Sequence, residues 1–464
     1  MADQRLKDLR GSGRRTFLKW SATAAAAIGL ERARFLDALS GIGGTALADQ
    51  AACSQTNRSI HINAANGALA WYTLLFPHVE QATVNNANYA FHEVGKGQMV
   101  KGTDRPWVRS TQSPFATLPA NRQMTGIMGG NNNGHTNTPK HEIATGVGLL
   151  AALAAIQQAT PTLLPVIAIN PTIYGTAPGA PAIATVGNAS GLVGLFDSVA
   201  SKTLLSTPNN AALHEAYYKA FLGLNAAAGR TTVARGYETG KVAANLLGKN
   251  LASQLAPTAA DDAAFGVNAG TSTALKEHAH TLITALKAFK LGLTSMVNMS
   301  PFLDDPHGAF GGGDQMPMDM AAALGKQFDA FMAQALATPD PSCSSKSLAD
   351  NLVMTIGGDL PKDPLERSGW PDNTSGNANW LYVYGAGYLK TGWFGAYGAG
   401  GNVSTFDPQT GANVAVNGNN VTTGAMGPTA AAAAAFAVAK GDLRRVQDFY
   451  RGPGFPALVN AVVT

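Results

Sequence analysis

Two kinds of apolar spacing alternate along this chain. Short continuous apolar runs bounded by Asn, Gly, Ser and Pro are interleaved with longer stretches whose apolar residues fall three and four apart. "RSIHINAANG" predicts a strand over Ser59 to Ala64 that ends in a loop at Asn66-Gly67. "LLPVIAIN", Leu163 to Asn170, reads as a strand covered on both faces, because nothing polar interrupts it. "LTSMVNMS" and "NLVMTIGGD" are two more strands, the second running into Asp359. Helical spacing covers His141 to Ala159, Asn209 to Leu255, Thr273 to Leu291 and Asp319 to Leu336. "PTAAAAAAFAVAKGDLRRVQDFY" closes the chain as a helix or helix pair broken around Gly441. The stretch from Asn85 to Pro119 is a long surface excursion, and Trp393 to Asn420 forms loops and a hairpin.

Strand, helix, strand, helix alternation argues for an α/β fold with a largely parallel central sheet and helices on both faces. Such sheets bind ligands outside the carboxyl ends of their strands. No repeat of solenoid length and no domain linker interrupts the pattern, so residues 49–464 are expected to form a single domain.

The first 48 residues follow a different logic. "GSGRRTFLKW" carries the adjacent arginines Arg14 and Arg15, followed by Thr16, Phe17, Leu18 and Lys19, the pattern of a bacterial twin-arginine export signal. A weakly apolar run, Ser21 to Leu30, comes next, too short to span a hydrocarbon core of about 30 Å. Ala46-Leu47-Ala48 then offers small residues at Ala46 and Ala48, where a signal peptidase cuts. Residues 1–48 are therefore expected to be a signal peptide read by the twin-arginine translocase, and the mature chain to reside in the periplasm or outside the cell. No transmembrane segment is expected in that mature chain.

Charge supports this division. The leader holds eight Lys and Arg against four acids; removed from 33 basic and 29 acidic residues, it leaves 25 of each. A chain without net charge or a basic run lacks the electrostatic footprint of a nucleic-acid binder. Apolar residues at 45% suffice for a core. Cys53 and Cys343 are the only cysteines, and either one disulfide after export or two lone thiols is compatible with their spacing. "GIGGTA" at Gly41 to Ala46 matches a dinucleotide loop only in spacing, with no strand ahead of it.

Polar residues gather at the predicted strand ends: Asn66-Gly67, His135 and His141, then Asp304, Asp305 and His307, then Asp359, and finally "SGNANW" at Ser375 to Trp380. Carboxylates and imidazoles arriving from separate strands are what a hydrolytic metal site needs. Asp305-Pro306-His307 is the best single element, since a rigid proline aims two ligands at one point. A capped turn with a solvated histidine is the plainer reading of the same residues.

The order of these segments resembles the domain-of-unknown-function family 1501, twin-arginine-exported bacterial proteins related to sulfatases and alkaline phosphatases. "NGALAWYTLLFPH" looks like that family's first strand-end motif, and "KHEIATG" like its Ser-His-x-x-Ala segment. "LDDPHGAF" is similar to its Asp-Thr-His element, "LVMTIGGDLPKDP" to its Ser-Glu-Phe-Gly-Arg-Thr-Pro strand end, and "SGNANW" to its Gly-Arg-Asp-His-Trp. "FDPQTGANV" with the Ala-rich helix after it resembles the family's ending.

The resemblance implies an alkaline-phosphatase-like α/β fold, and it also implies losses. Asn66 or Gly67 stands where the first aspartate would be, Lys140 replaces the serine, Gly358 the glutamate, and Ala378-Asn379 the final Asp-His pair. Asp305, His307 and His141 remain, with Asp359 one place beyond the glutamate position. Neutral amides bring no charge to a divalent ion, so the site is expected to be eroded. The expectation is thus an exported protein in a binding or structural role in the cell envelope, needing no cofactor. A glycan or envelope protein would be the partner, met through the aromatic residues of "NANWLYVYGAGYLKTGWFGAYG" read as loops; ordinary packing of a strand and turn is an equally good reading of that stretch. The alternative is a metal-dependent hydrolase of phosphate or sulfate esters in which Asp305, His307, Asp359 and His141 hold Zn²⁺ or Ca²⁺.

Overall fold

The computed structural model describes residues 53–76, 98–99, 108–109, 124–131, 141–160, 162–170, 174–197, 250–300, 305–313, 315–359, 368–371, 378–397, 403–415 and 426–460, with single positions at 212, 215, 216, 240, 246, 302 and 362. Contacts gather the chain into two compact units. The smaller comprises residues 1–49, 161–163 and 189–256. Its described helices, Ala189–Leu195 and Leu251–Leu255, pack on each other. The larger, residues 50–160, 164–188 and 257–464, carries the sheet.

Eight strands make that sheet: β1 (Arg58–Ala64), β2 (Thr125–Asn131), β3 (Leu164–Ile169), β4 (Ile183–Val186), β5 (Thr294–Met299), β6 (Leu352–Gly358), β7 (Ala378–Gly385) and β8 (Gly392–Phe394). Their order is β8-β2-β7-β6-β1-β5-β3-β4. β1 pairs in parallel with both β6 and β5, β3 with both β5 and β4, and β8 with β2. Only β7 runs the other way, antiparallel to β6 and β2. The expected mainly parallel sheet is present, and the strands predicted near Ser59, Leu163, Thr294 and Leu352 all lie in it.

Side chains alternate across β1. Ser59 Oγ donates to Gln157 Oε1 at 3.2 Å on one face, where α2 (Leu149–Gln157) follows α1 (Leu69–Thr73) in the chain. Arg58, pointing the other way, places Nη2 3.0 Å from Asp340 Oδ1. Burial alone would raise the Asp340 pKa, but the Arg58 charge and hydrogen bonds from Ser342 and Asn351 outweigh it and hold it below the usual carboxylate range. On that second face α1 packs with α4 (Thr273–Lys290) and α5 (Gln315–Ala337) through Tyr72, His278, Phe302 and Phe328; α3 (Ala259–Phe265) leads into them from a Thr258–Asp261 capping box. The first face also carries α6 (Met426–Val438), whose alanines 430–435 are all fully buried. A helix apolar all round belongs inside, and alanine lets it lie close to the sheet. α7 (Leu443–Gln447) follows a turn at Lys440 (φ 54°) and Gly441 (φ 80°), where the break was expected.

Three readings differ from what is observed. The helix expected from His141 begins only at Leu149: Glu142–Ala144 and Val147–Gly148 form a short hairpin, with Gly146 at φ 73° and Gly148 extended. β7 occupies residues read as loop, because "NWLYVY" is buried on both faces and its alternation is masked. Its aromatics are core rather than a stacking surface: Trp380, Tyr382 and Tyr384 are each 1% exposed, and Trp393 meets Trp380 edge-on at 4.7 Å. Most of the helix expected over Asn209 to Leu255 and most of the excursion from Asn85 to Pro119 lie outside the described residues.

Candidate functional site

Two of the predicted strand-end segments meet at the carboxyl ends of β1 and β6. After β1 the chain turns through Asn66 (φ 55°) and Gly67 (φ 84°), a left-handed pair that suits Asn and Gly. The Gly67 N–H then points at Asp359, donating to Oδ1 at 2.9 Å and Oδ2 at 3.2 Å. Asp359 is fully buried, so its carboxylate acts as a clamp between the two strand ends. Gly358, where the resemblance expects a glutamate, has no room for a side chain: a Cβ there would stand 2.0 Å from the Ala64 carbonyl oxygen. Asn379, at the start of β7, donates from Nδ2 to the Gly358 carbonyl at 2.8 Å. Asn66, Gly358, Asp359 and Asn379 are thus neighbours, held by backbone contacts.

Asp305 and His307 form a second group in the loop after β5. His307 Nδ1 donates to the Gly369 carbonyl at 3.0 Å, and its Nε2 lies 3.3 Å from Asp305 Oδ2. The other Asp305 oxygen is ion-paired with Lys362 Nζ, whose side chain is fully buried. Trp370, beside Gly369, is wedged between Trp71 and Phe310 with ring centroids 5.7 and 5.1 Å away, which fixes this loop. Lys362 was not singled out from sequence; its place three residues past Asp359 in "DLPKDP" was the only available signal.

His141 belongs to neither group. It enters from the start of the hairpin and lines a cavity of about 280 Å³ with His61, Thr355 and Gly357. Burial lowers the His61 pKa to about 3, with His141 nearby adding to it, and burial lowers that of His141 to about 4. Both rings are neutral at pH 7.

The donors named for Zn²⁺ or Ca²⁺ therefore fall into three groups of contacts. Asp359 spends both oxygens on a backbone N–H, Asp305 faces an ammonium and an imidazole, and His141 sits with another histidine. Among the described residues no three of His, Cys, Asp and Glu come together as a metal site would need. Asn379 brings only a neutral amide: its Nδ2 donates to Gly358, and its Oδ1, the atom that could coordinate, is buried without a hydrogen-bond partner among the described residues and carries no charge. The donor set does not fit a catalytic divalent ion. Arg14, Arg15, Ala46, Ala48, His135, Lys140 and Asp304 lie outside the described residues.

The two cysteines are joined, Cys53 to Cys343, with Cα atoms 4.4 Å apart. Among the described residues no helix is long and apolar enough to cross a membrane. Compared with protein-family models, with curated proteins and with solved structures, the chain matches none. What the fold defines is a mixed α/β protein on a large, mostly parallel eight-stranded sheet, with its polar strand ends tied together by internal contacts.

Proposed function

We propose that this chain is an exported protein of alkaline-phosphatase-like fold whose strand-end site has lost its metal chemistry, and that it serves a binding or structural role in the cell envelope. One observation carries the reading: the Lys362 ammonium takes the place on Asp305 that a divalent cation would need. A buried cation beside the carboxylate repels a metal and offsets the charge that would attract one. The Cys53–Cys343 disulfide supports export, since cytosolic thiols stay reduced. The parallel order of β3, β5, β1 and β6, with Asp305 and Asp359 both following carboxyl ends, supports the kinship with alkaline phosphatases. Its partners would be the twin-arginine translocase during export, then an envelope protein or glycan.

Metal content and ester hydrolysis test the site. The purified processed protein should hold substoichiometric zinc and calcium after mild dialysis and should leave aryl phosphate and aryl sulfate intact. Tight one-to-one metal with hydrolysis, both lost in Asp305→Asn, would instead establish a metal-dependent esterase. Export is tested separately. Replacing Arg14 and Arg15 by lysine should strand the precursor in the cytoplasm, while the parent yields a product beginning at Asp49; an unprocessed parent removes the export half of the proposal.

A further inference from the structure

The methionines divide into two sets. Met124, Met128, Met296, Met299 and Met354 belong to the strands of the central sheet or their margins and Met332 to the inner face of α5, and each is at most 2% exposed. Met316, Met318 and Met320 break that pattern at the start of α5. Met316 is 52% exposed, more than any other large apolar side chain among the described residues, and Met318 and Met320 are half-buried. The helix itself shows why. Pro317, Ala321, Leu324, Phe328 and Phe331 recur at four and three spacing and form the buried stripe of α5. At 3.6 residues per turn, Met316 and Met320 stand on one flank of that stripe and Met318 on the other. All three lie beside the stripe rather than within it. The turn that carries them is held in shape, because Pro317 is buried and Gln315 Nε2 donates to Asp319 Oδ1 at 2.7 Å one turn further on.

A thioether needs no ionisation to react with an oxidant. Its sulfur lone pair attacks a peroxide oxygen, the O–O bond breaks, and the sulfur keeps one oxygen atom as the sulfoxide. Access of the oxidant therefore governs which methionine reacts. A buried sulfur is reached only when its surroundings open, and every 1.4 kcal/mol or so of opening free energy slows it about tenfold. The consequence of reaction also differs between the two sets. A sulfoxide in the core is a polar group placed among apolar ones, whereas on Met316 it points into water and leaves the packing of α5 as it was.

We propose that Met316, Met318 and Met320 form a reversible oxidation site on the surface of α5. A two-electron oxidant of the peroxide class transfers one oxygen to each sulfur and is itself reduced, hydrogen peroxide to water. A methionine sulfoxide reductase is the partner that reverses the step: two thiols take the oxygen off as water, join as a disulfide and restore the thioether. Both reagents reach these sulfurs without unfolding the helix. The site stands whether or not the chain is exported and whatever the fate of the strand-end proposal.

The test treats the folded protein with hydrogen peroxide and follows each methionine-containing peptide by mass spectrometry. Met316 should gain oxygen first, and Met316, Met318 and Met320 should each react at least about tenfold faster than Met332 on the same helix and than the sheet methionines. Circular dichroism and the unfolding temperature should be unchanged after that fast phase. The two epimer-specific methionine sulfoxide reductases, supplied with dithiothreitol, should then return the peptides to their parent mass while the protein stays folded. Met316→Leu/Met318→Leu/Met320→Leu keeps the apolar volume and removes the sulfurs, so it should abolish the fast phase and leave Met332 and the sheet methionines as slow as before. Oxidation of Met332 or of a sheet methionine as fast as that of Met316, a fast phase that survives the triple variant, loss of fold on the first oxidation, or sulfoxides that the reductases leave in place would each overturn the proposal.

Discussion

Cutting the Cys53–Cys343 bridge is the perturbation whose size follows most directly from the structure. The two residues are 290 apart in sequence, so the bridge closes most of the chain into one loop in the unfolded state. Loop-closure entropy for that length is about 5.7 kcal/mol at 25 °C. The native end of the cycle changes little, because the segment after Cys53 is held independently. The Asn57 N–H donates to the Val438 carbonyl at 2.8 Å, Asn57 Nδ2 to the Ala437 carbonyl at 2.7 Å, and Lys440 Nζ to the Ser54 carbonyl at 2.8 Å. Residual order in the denatured chain takes back part of the entropy, so the double variant Cys53→Ser/Cys343→Ser should lose about 3–5 kcal/mol. With unfolding entropy near 2.1 cal/mol/K per residue, that is a fall of roughly 3–5 °C in melting temperature for a chain of 464 residues. Urea unfolding followed by circular dichroism, with and without reductant, measures it: reductant should bring the parent to the variant's midpoint and leave the variant unmoved. Two alkylatable thiols in the unreduced, denatured parent, or equal midpoints throughout, would refute the reasoning.

Acid should destabilise the protein well above the carboxylate range. His61, His141 and His278 have pKa values lowered by burial from 6.5 to about 3, 4 and 4, the last partly restored by its bond to Gln327. Below pH 6.5 the unfolded chain takes up protons that the folded one refuses, so stability is complete above that pH and is lost as pH falls toward 4. Each ring should cost about 2 kcal/mol by pH 5. Urea midpoints at pH 8 and pH 5 check this, and unchanged midpoints would show that these rings are not buried neutral. At the Asp305–Lys362 pair the two truncations should differ. Asp305→Ala takes the carboxylate away from a fully buried ammonium and should cost about 3 kcal/mol or more, whereas Lys362→Met leaves a carboxylate 29% exposed and still beside His307, at about half that cost. Equal losses in denaturant titrations would mean that Lys362 is not desolvated.

Much of the sheet was legible in the linear pattern, for a physical reason. A parallel strand buried on both faces is mostly apolar and a helix must show its stripe, so β3, β6, α4 and α5 announce themselves from neighbours a few residues apart, and β1 and β5 do so through the apolar residues between their buried polar ones. The turn at Asn66-Gly67 and the break at Gly441 were equally plain, because a left-handed backbone is a local property of those residues. Where every position of a segment is covered, as in the aromatic β7, local spacing says buried but not strand. The partners of the polar residues were never local. Asp359 is satisfied by an N–H 292 residues earlier, and His61 by a hydroxyl 294 residues later. The clue to His61 lay in "SIHIN", three polar residues at every second position of an otherwise buried strand, yet what they face depends on where α2 and residue 141 come to rest. Sequence alone could name the ionisable groups and the strand ends that carry them. Only the tertiary structure could decide that Asp305 meets a lysine, Asp359 a backbone amide and His141 a second imidazole, because charge pairing and desolvation arise from contacts that the chain makes only when its distant segments close on one another.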